Sequence, residues 1–141
     1  MSYDPNNIFA KILRGEAPCT KLFEDDVSLA FLDVMPRADG HTLVIPKVPA
    51  RNIFDIVPGD LARLMPAVQK VARAVKAGMG AEGLTIQQFN EVAGGQQVFH
   101  LHFHVLPRWT GVAVRPPYGP VHTAEALRQH AERIIAAFAR V

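Results

Sequence analysis

Three histidines at every second position, His100, His102 and His104, are the residues best placed to do chemistry in this chain. Successive side chains of a β-strand point to opposite faces, so the spacing gathers three imidazoles on one face. Leu101, Phe103 and Val105 take the other face and fix the strand against a core. A row of imidazoles stabilises a strand poorly, which points to a site. Two chemistries suit it. Neutral imidazole is the commonest nitrogen ligand of metals, and His-x-His on a strand is a familiar zinc arrangement. Alternatively, an imidazole attacks phosphorus through one ring nitrogen while the other is held by an acceptor.

The preceding residues favour attack on phosphorus. Gly94-Gly95-Gln96-Gln97 lets the backbone come close to a ligand and offers N–H donors for an anion, with amide donors from the two glutamines. No acid flanks the triad, whereas a metallohydrolase usually adds a carboxylate near its metal.

The elements that must carry these residues follow from apolar periodicity and turn formers. Asn6 or Asn7 caps a short helix bearing Ile8, Phe9 and Ile12, ended by Gly15 and Pro18. Strand-like runs cover 20–24, 27–34, 41–46, 83–90 and 99–106, separated by turn-forming clusters. One long helix is expected between the third and fourth strands, capped by Asp60 and ended by Gly78 and Gly80. Pro66 inside it predicts a kink or an early break. A last helix is expected over 123–140, with Ala126, Leu127, His130, Ile134 and Phe138 on one face. Strands, a helix, then strands again indicate an α+β fold with a mainly antiparallel sheet of about five strands.

The chain has 141 residues and no repeat or low-complexity linker, so one domain over 1–141 is expected. The formal charge of +2 lacks the concentrated basic stripe of a nucleic-acid binder. The single cysteine, Cys19, excludes an internal disulfide. There is neither a signal-peptide pattern nor an apolar run of the ~20 residues that span a bilayer. The expectation is a cytoplasmic protein with no nucleic-acid or membrane partner.

The residues also match a known family. His100-Leu101-His102-Phe103-His104-Val105-Leu106 resembles the alternating signature of the histidine triad (HIT) family. Ile8–Ile12 with Gly15-Glu16-Ala17-Pro18 is similar to its opening helix. Ala30-Phe31-Leu32-Asp33 and Gly40–Lys47 resemble its central strands, and Asn90-Glu91 with Gly94-Gly95-Gln96 its approach to the triad. The likeness covers about residues 8–108, is nearest to the bacterial Hint-like hydrolases, and leaves 109–141 as an unmatched extension.

The resemblance implies a homodimer binding a small molecule that contains a purine nucleoside monophosphate, with no cofactor. It implies attack by His102 on the α-phosphorus, a nucleotidyl-histidine intermediate and release by water. His100 and His104 would orient the nucleophile and bind phosphate, with His41 beside them. Asp33 would accept from the ribose hydroxyls. Ile8, Phe9, Ile12, Phe31 and Leu43 would line the base pocket, and Asn90, Gly95, Gln96 and Gln97 would lie on the phosphate side. Candidate substrates are nucleoside phosphoramidates, acyl-adenylates and dinucleoside polyphosphates. Gln97 stands where relatives carry serine or threonine near the leaving group, which leaves the leaving group open. Ala10 stands where some bacterial relatives carry a zinc-binding cysteine, so no metal is expected. A nucleotide sensor with little turnover and a histidine-ligated zinc hydrolase remain as alternatives.

Overall fold

The computed structural model describes residues 2–141. The Asn7 side chain accepts from the Ala10 backbone N–H and starts a short helix, α1 (Ile8–Leu13). Gly15, at φ +77°, turns the chain out of it. Strands β1 (Lys21–Glu24) and β2 (Ser28–Leu32) form a hairpin whose turn is held by Asp25, which accepts from Val27, Ser28 and the Ser28 hydroxyl. Strand β3 (Thr42–Pro46) follows, then helix α2 (Pro58–Gly78), strands β4 (Gly83–Gln87) and β5 (Phe103–Arg108), and helix α3 (Ala124–Ala137). The five strands make one antiparallel sheet in the order β1-β2-β3-β5-β4, the α+β arrangement expected.

Alternation along the strands divides the apolar residues between two faces. Ala30, Leu32, Val44, Leu101, Phe103 and Val105 join α2 and α3 in the larger core. Leu29, Phe31, Leu43 and Ile45 face the other way and pack with Phe9 of α1. The site lies on this second, thinly covered face.

Several boundaries differ from the sequence expectation for local reasons. Val57, not Asp60, caps α2, because Pro58 occupies the first turn where a missing N–H costs nothing. Asp60 lies within that turn, where its charge suits the helix dipole. Pro66 does not break α2, which runs unbroken through it. The last helix starts where expected, capped by the Thr123 hydroxyl, and buries Leu127, Ala131, Ile134 and Ala137. The histidine strand begins at Phe103 rather than Phe99. Upstream of it the Leu101 N–H donates to the Ala50 carbonyl, so 99–102 is tied to the segment after β3 instead of to the ladder.

Candidate functional site

Strand register builds the floor of the site. Phe31 of β2 lies opposite Leu43 of β3, Leu43 opposite His104 of β5, and His104 opposite Gln87 of β4. One row of side chains thus crosses four strands. A cavity of about 640 Å³ opens over it. Its apolar side is formed by Ile8, Phe9 and Ile12 of α1 with Phe31 and Leu43. Asp33, His41, His102, His104, Gly95 and Gln97 line it too.

Hydrogen bonds assign the imidazole tautomers. The Nδ1 of His102 lies 2.7 Å from the carbonyl oxygen of His100. A carbonyl only accepts, so Nδ1 carries the proton and Nε2 keeps its lone pair. His41 Nδ1 accepts from the Arg37 backbone N–H at 3.1 Å, so its proton is on Nε2. That Nε2–H donates to Nδ1 of His104 at 2.9 Å, which leaves the His104 proton on its own Nε2. His100 is used up in the same way: Nε2–H donates to the Pro46 carbonyl at 2.8 Å and Nδ1 accepts from the Tyr3 hydroxyl at 2.6 Å.

The rings support one another. His102 packs edge-on against Phe9 and against His104, at centroid distances of 4.9 Å each. Phe89 covers His104 from 5.3 Å. Burial withholds the water that an imidazolium needs, and lowers the proton affinity of all four histidines. His41 and His100 are brought down to about 4, and His104 to about 3. His102 is also lowered by burial, with the His100 carbonyl opposing. Repulsion from the Arg37 charge adds to the effect on His41 and His104. Burial moves Asp33 the other way, raising its carboxyl.

Three expected residues are placed outside the cavity lining. Both ring nitrogens of His100 bond within the protein, as above, and it positions the loop behind His102. Gln96 is 2 % exposed, and its side chain ties together Arg51, Asn52, Glu91 and Val98. Asn90 holds the Ile53 N–H and pairs with Gln88. The glycine turn also differs from the expected open anion cradle. The N–H groups of Gly94 and Gly95 donate to Glu91 and Val92, and that of Gln96 donates to Glu91. They close a tight turn in which Gly95 sits at φ +93°. Among the described residues, the backbone N–H groups of Gln97 and Val98 have no protein acceptor.

Sequence reasoning missed Arg37, Phe89, Pro117 and Tyr118, all of which line the cavity. Arg37 lay in a stretch readable only as a turn. Pro117 and Tyr118 arrive on a strap, residues 110–122, tied over the 34–39 loop by Arg115 N–H to the Arg37 carbonyl at 2.7 Å and His122 N–H to the Val34 carbonyl at 2.9 Å. His122 and His130 are half-buried beside each other, with ring centroids 5.9 Å apart. A metal would find one ligand atom each from Asp33, His41 and His104, all within 4.8 Å of one another.

Comparison with known proteins agrees with this architecture. A family model described as HIT domain matches residues 14–111. The chain is 38% identical over 101 residues to the adenylylsulfatase HINT3 of Arabidopsis thaliana, covering 72% of this chain. It spans about half the length of that relative, 51%. It is 39% identical over 121 residues to the adenosine 5'-monophosphoramidase hnt1 of Schizosaccharomyces pombe, covering 84% of this chain and 88% of that one. A HIT-like protein of Bartonella henselae superposes with a TM-score of 0.90 at 47% identity, covering 96% of this chain and 99% of the other.

Proposed function

Because the chain belongs to the HIT domain family, we propose that it is a nucleotide hydrolase in which His102 attacks the α-phosphorus of a purine nucleotide derivative. One observation carries this reading. His102 Nδ1 is locked to the His100 carbonyl, and its deprotonated Nε2 makes no hydrogen bond among the described residues while the ring lines the cavity. That is the state a nucleophilic imidazole needs. The base lies between α1 and the Phe31–Leu43 end, where the lining is apolar. Asp33 takes the ribose hydroxyls.

In the first step the Nε2 lone pair forms a bond to phosphorus and the leaving group departs with its bonding electrons. In the second, water attacks phosphorus, the N–P electron pair returns to Nε2, and a nucleoside monophosphate is released. His104 Nε2–H and the free N–H groups of Gln97 and Val98 supply donors for the phosphoryl oxygens. His41 acts through His104 by fixing its tautomer, and His100, Gln96 and Asn90 are positioning residues for the loop. Two chains pair as a homodimer, a reading supported by the open edge of β4, where Ile86 is 49 % exposed.

The test is a brief incubation with nucleotide labelled at the α-phosphorus, followed by denaturation. Label bound in an acid-labile, base-stable linkage is expected, and His102→Ala removes both the label and turnover. Full hydrolysis by that variant would overturn the covalent assignment. The cluster of Asp33, His41 and His104 supports a second reading, a zinc hydrolase. A cation there displaces the His41–His104 hydrogen bond. Stoichiometric zinc in purified protein and inhibition by a chelator would favour it.

A further inference from the structure

Arg37 is the only lysine or arginine among the described residues that line the cavity. Its side chain is held in place at two points. Nε donates to the Arg115 carbonyl of the strap at 2.9 Å, and Nη1 lies 3.5 Å from Gln87 Oε1. It forms no ion pair among the described residues, whereas Arg115, beside it, is neutralised by Asp39 at 2.8 Å. A fixed, uncompensated guanidinium on a largely apolar cavity is a binding element for an anion.

The register says which anion. The row Phe31, Leu43, His104, Gln87 crosses four neighbouring strands. Strand spacing puts His104 about 10 Å from Phe31 and Gln87 about 5 Å further on. With the base at the Phe31 end and phosphorus at His102 and His104, the part of the substrate that continues past His104 reaches Gln87 and the Arg37 guanidinium that contacts it. That part is the leaving group. We propose that Arg37 is a specificity residue that selects nucleotides whose leaving group is itself an anion, a phosphate chain or a sulfate joined through an anhydride oxygen. The proposal rests on the hydrolase reading above and deepens it.

The chemistry is consistent with that selection. When His102 Nε2 bonds to phosphorus, the bond from phosphorus to the bridging oxygen breaks and its electron pair stays on the departing phosphate or sulfate. The departing group gains negative charge and needs no proton. A neutral amine, by contrast, must take up a proton as it leaves. The Arg37 guanidinium and the Gln97 amide can donate hydrogen bonds, but neither releases a proton near neutral pH. The water of the second step supplies the new oxygen on phosphorus, and its lost proton goes to solvent.

The experiment compares kcat/KM for two substrate classes that share an adenylyl group. Adenosine 5'-phosphosulfate and diadenosine tetraphosphate have anionic leaving groups; an adenosine 5'-phosphoramidate of a primary amine has a neutral one. Arg37→Gln is expected to lower the anionic-to-neutral ratio at least tenfold. Arg37→Lys, which keeps the charge but loses Nε–H, is expected to recover most of that ratio. Circular dichroism melts of each variant identify any general loss of folding. A ratio unchanged within twofold, or a ratio that Lys fails to restore in folded protein, overturns the proposal. Wild-type protein that turns over neither class overturns the hydrolase reading and this proposal together, whereas turnover with an unchanged ratio overturns this proposal alone.

Discussion

The four histidines of the site differ by what each ring nitrogen touches, and that difference sets a pH signature. An unburied imidazole titrates near 6.5, and from the sequence alone activity is expected to fall below that value. Burial moves the expectation downward, since His102 is lowered, His41 and His100 reach about 4 and His104 about 3. Activity is therefore expected to persist below pH 6.5, with its half-maximal point on the acid side of that value. A pH–rate profile of kcat/KM checks this, and a half-maximal point at 6.5 would place the nucleophile in a more open setting. The same shifts act on stability. Above pH 6.5 these imidazoles are neutral both folded and unfolded, and they add no pH dependence. Between 6.5 and about 4 the unfolded chain binds protons that the folded one refuses, so stability falls as the pH falls. Melting temperature is expected to drop steeply over that interval, with activity per folded molecule dropping later.

At the scale of elements, the site depends on how closely α3 seats against α2 on the opposite face of the sheet. A Cβ added at Gly78 meets the backbone of Arg133 and Ile134 at 2.7 Å. Backbone cannot swing aside as a side chain does, so Gly78→Ala is expected to cost about 1–3 kcal/mol through helix separation. Denaturant melts measure it, and a neutral result would show that the helices part freely. Elements of this kind were largely legible in the sequence. The pairing of Phe31 with Asp33 and of His41 with Leu43 at two-residue steps follows from strand parity, and the observed register puts Phe31 beside Leu43 and Leu43 beside His104. The start of β5 was not legible, because 99–102 is diverted by bonds to Pro46 and Ala50, which no periodicity announces. Arg37 and Tyr118 escaped for a similar reason. They reach the cavity on irregular backbone, and Tyr118 does so at φ +60°.

For the molecule as a whole, β1 and β4 are the two edges of the sheet. An edge strand with an exposed apolar residue invites a second copy. If β4 forms the dimer contact, Ile86→Glu shifts the protein from the mass of two chains to that of one in analytical ultracentrifugation, and an unchanged dimer would move the contact elsewhere. The straight row from Phe31 to Gln87 carries a last consequence. It turns the sheet into a gauge whose divisions are strand separations, fixed by backbone hydrogen bonds rather than by any side chain. Substitutions along it relabel the divisions without moving them. Sliding β3 by one residue would turn Leu43 and its neighbours to the wrong face and erase the scale altogether. Insertions should therefore be rejected in β3, and the charge of a ligand's leaving group should be read at the fixed division that Gln87 and Arg37 mark.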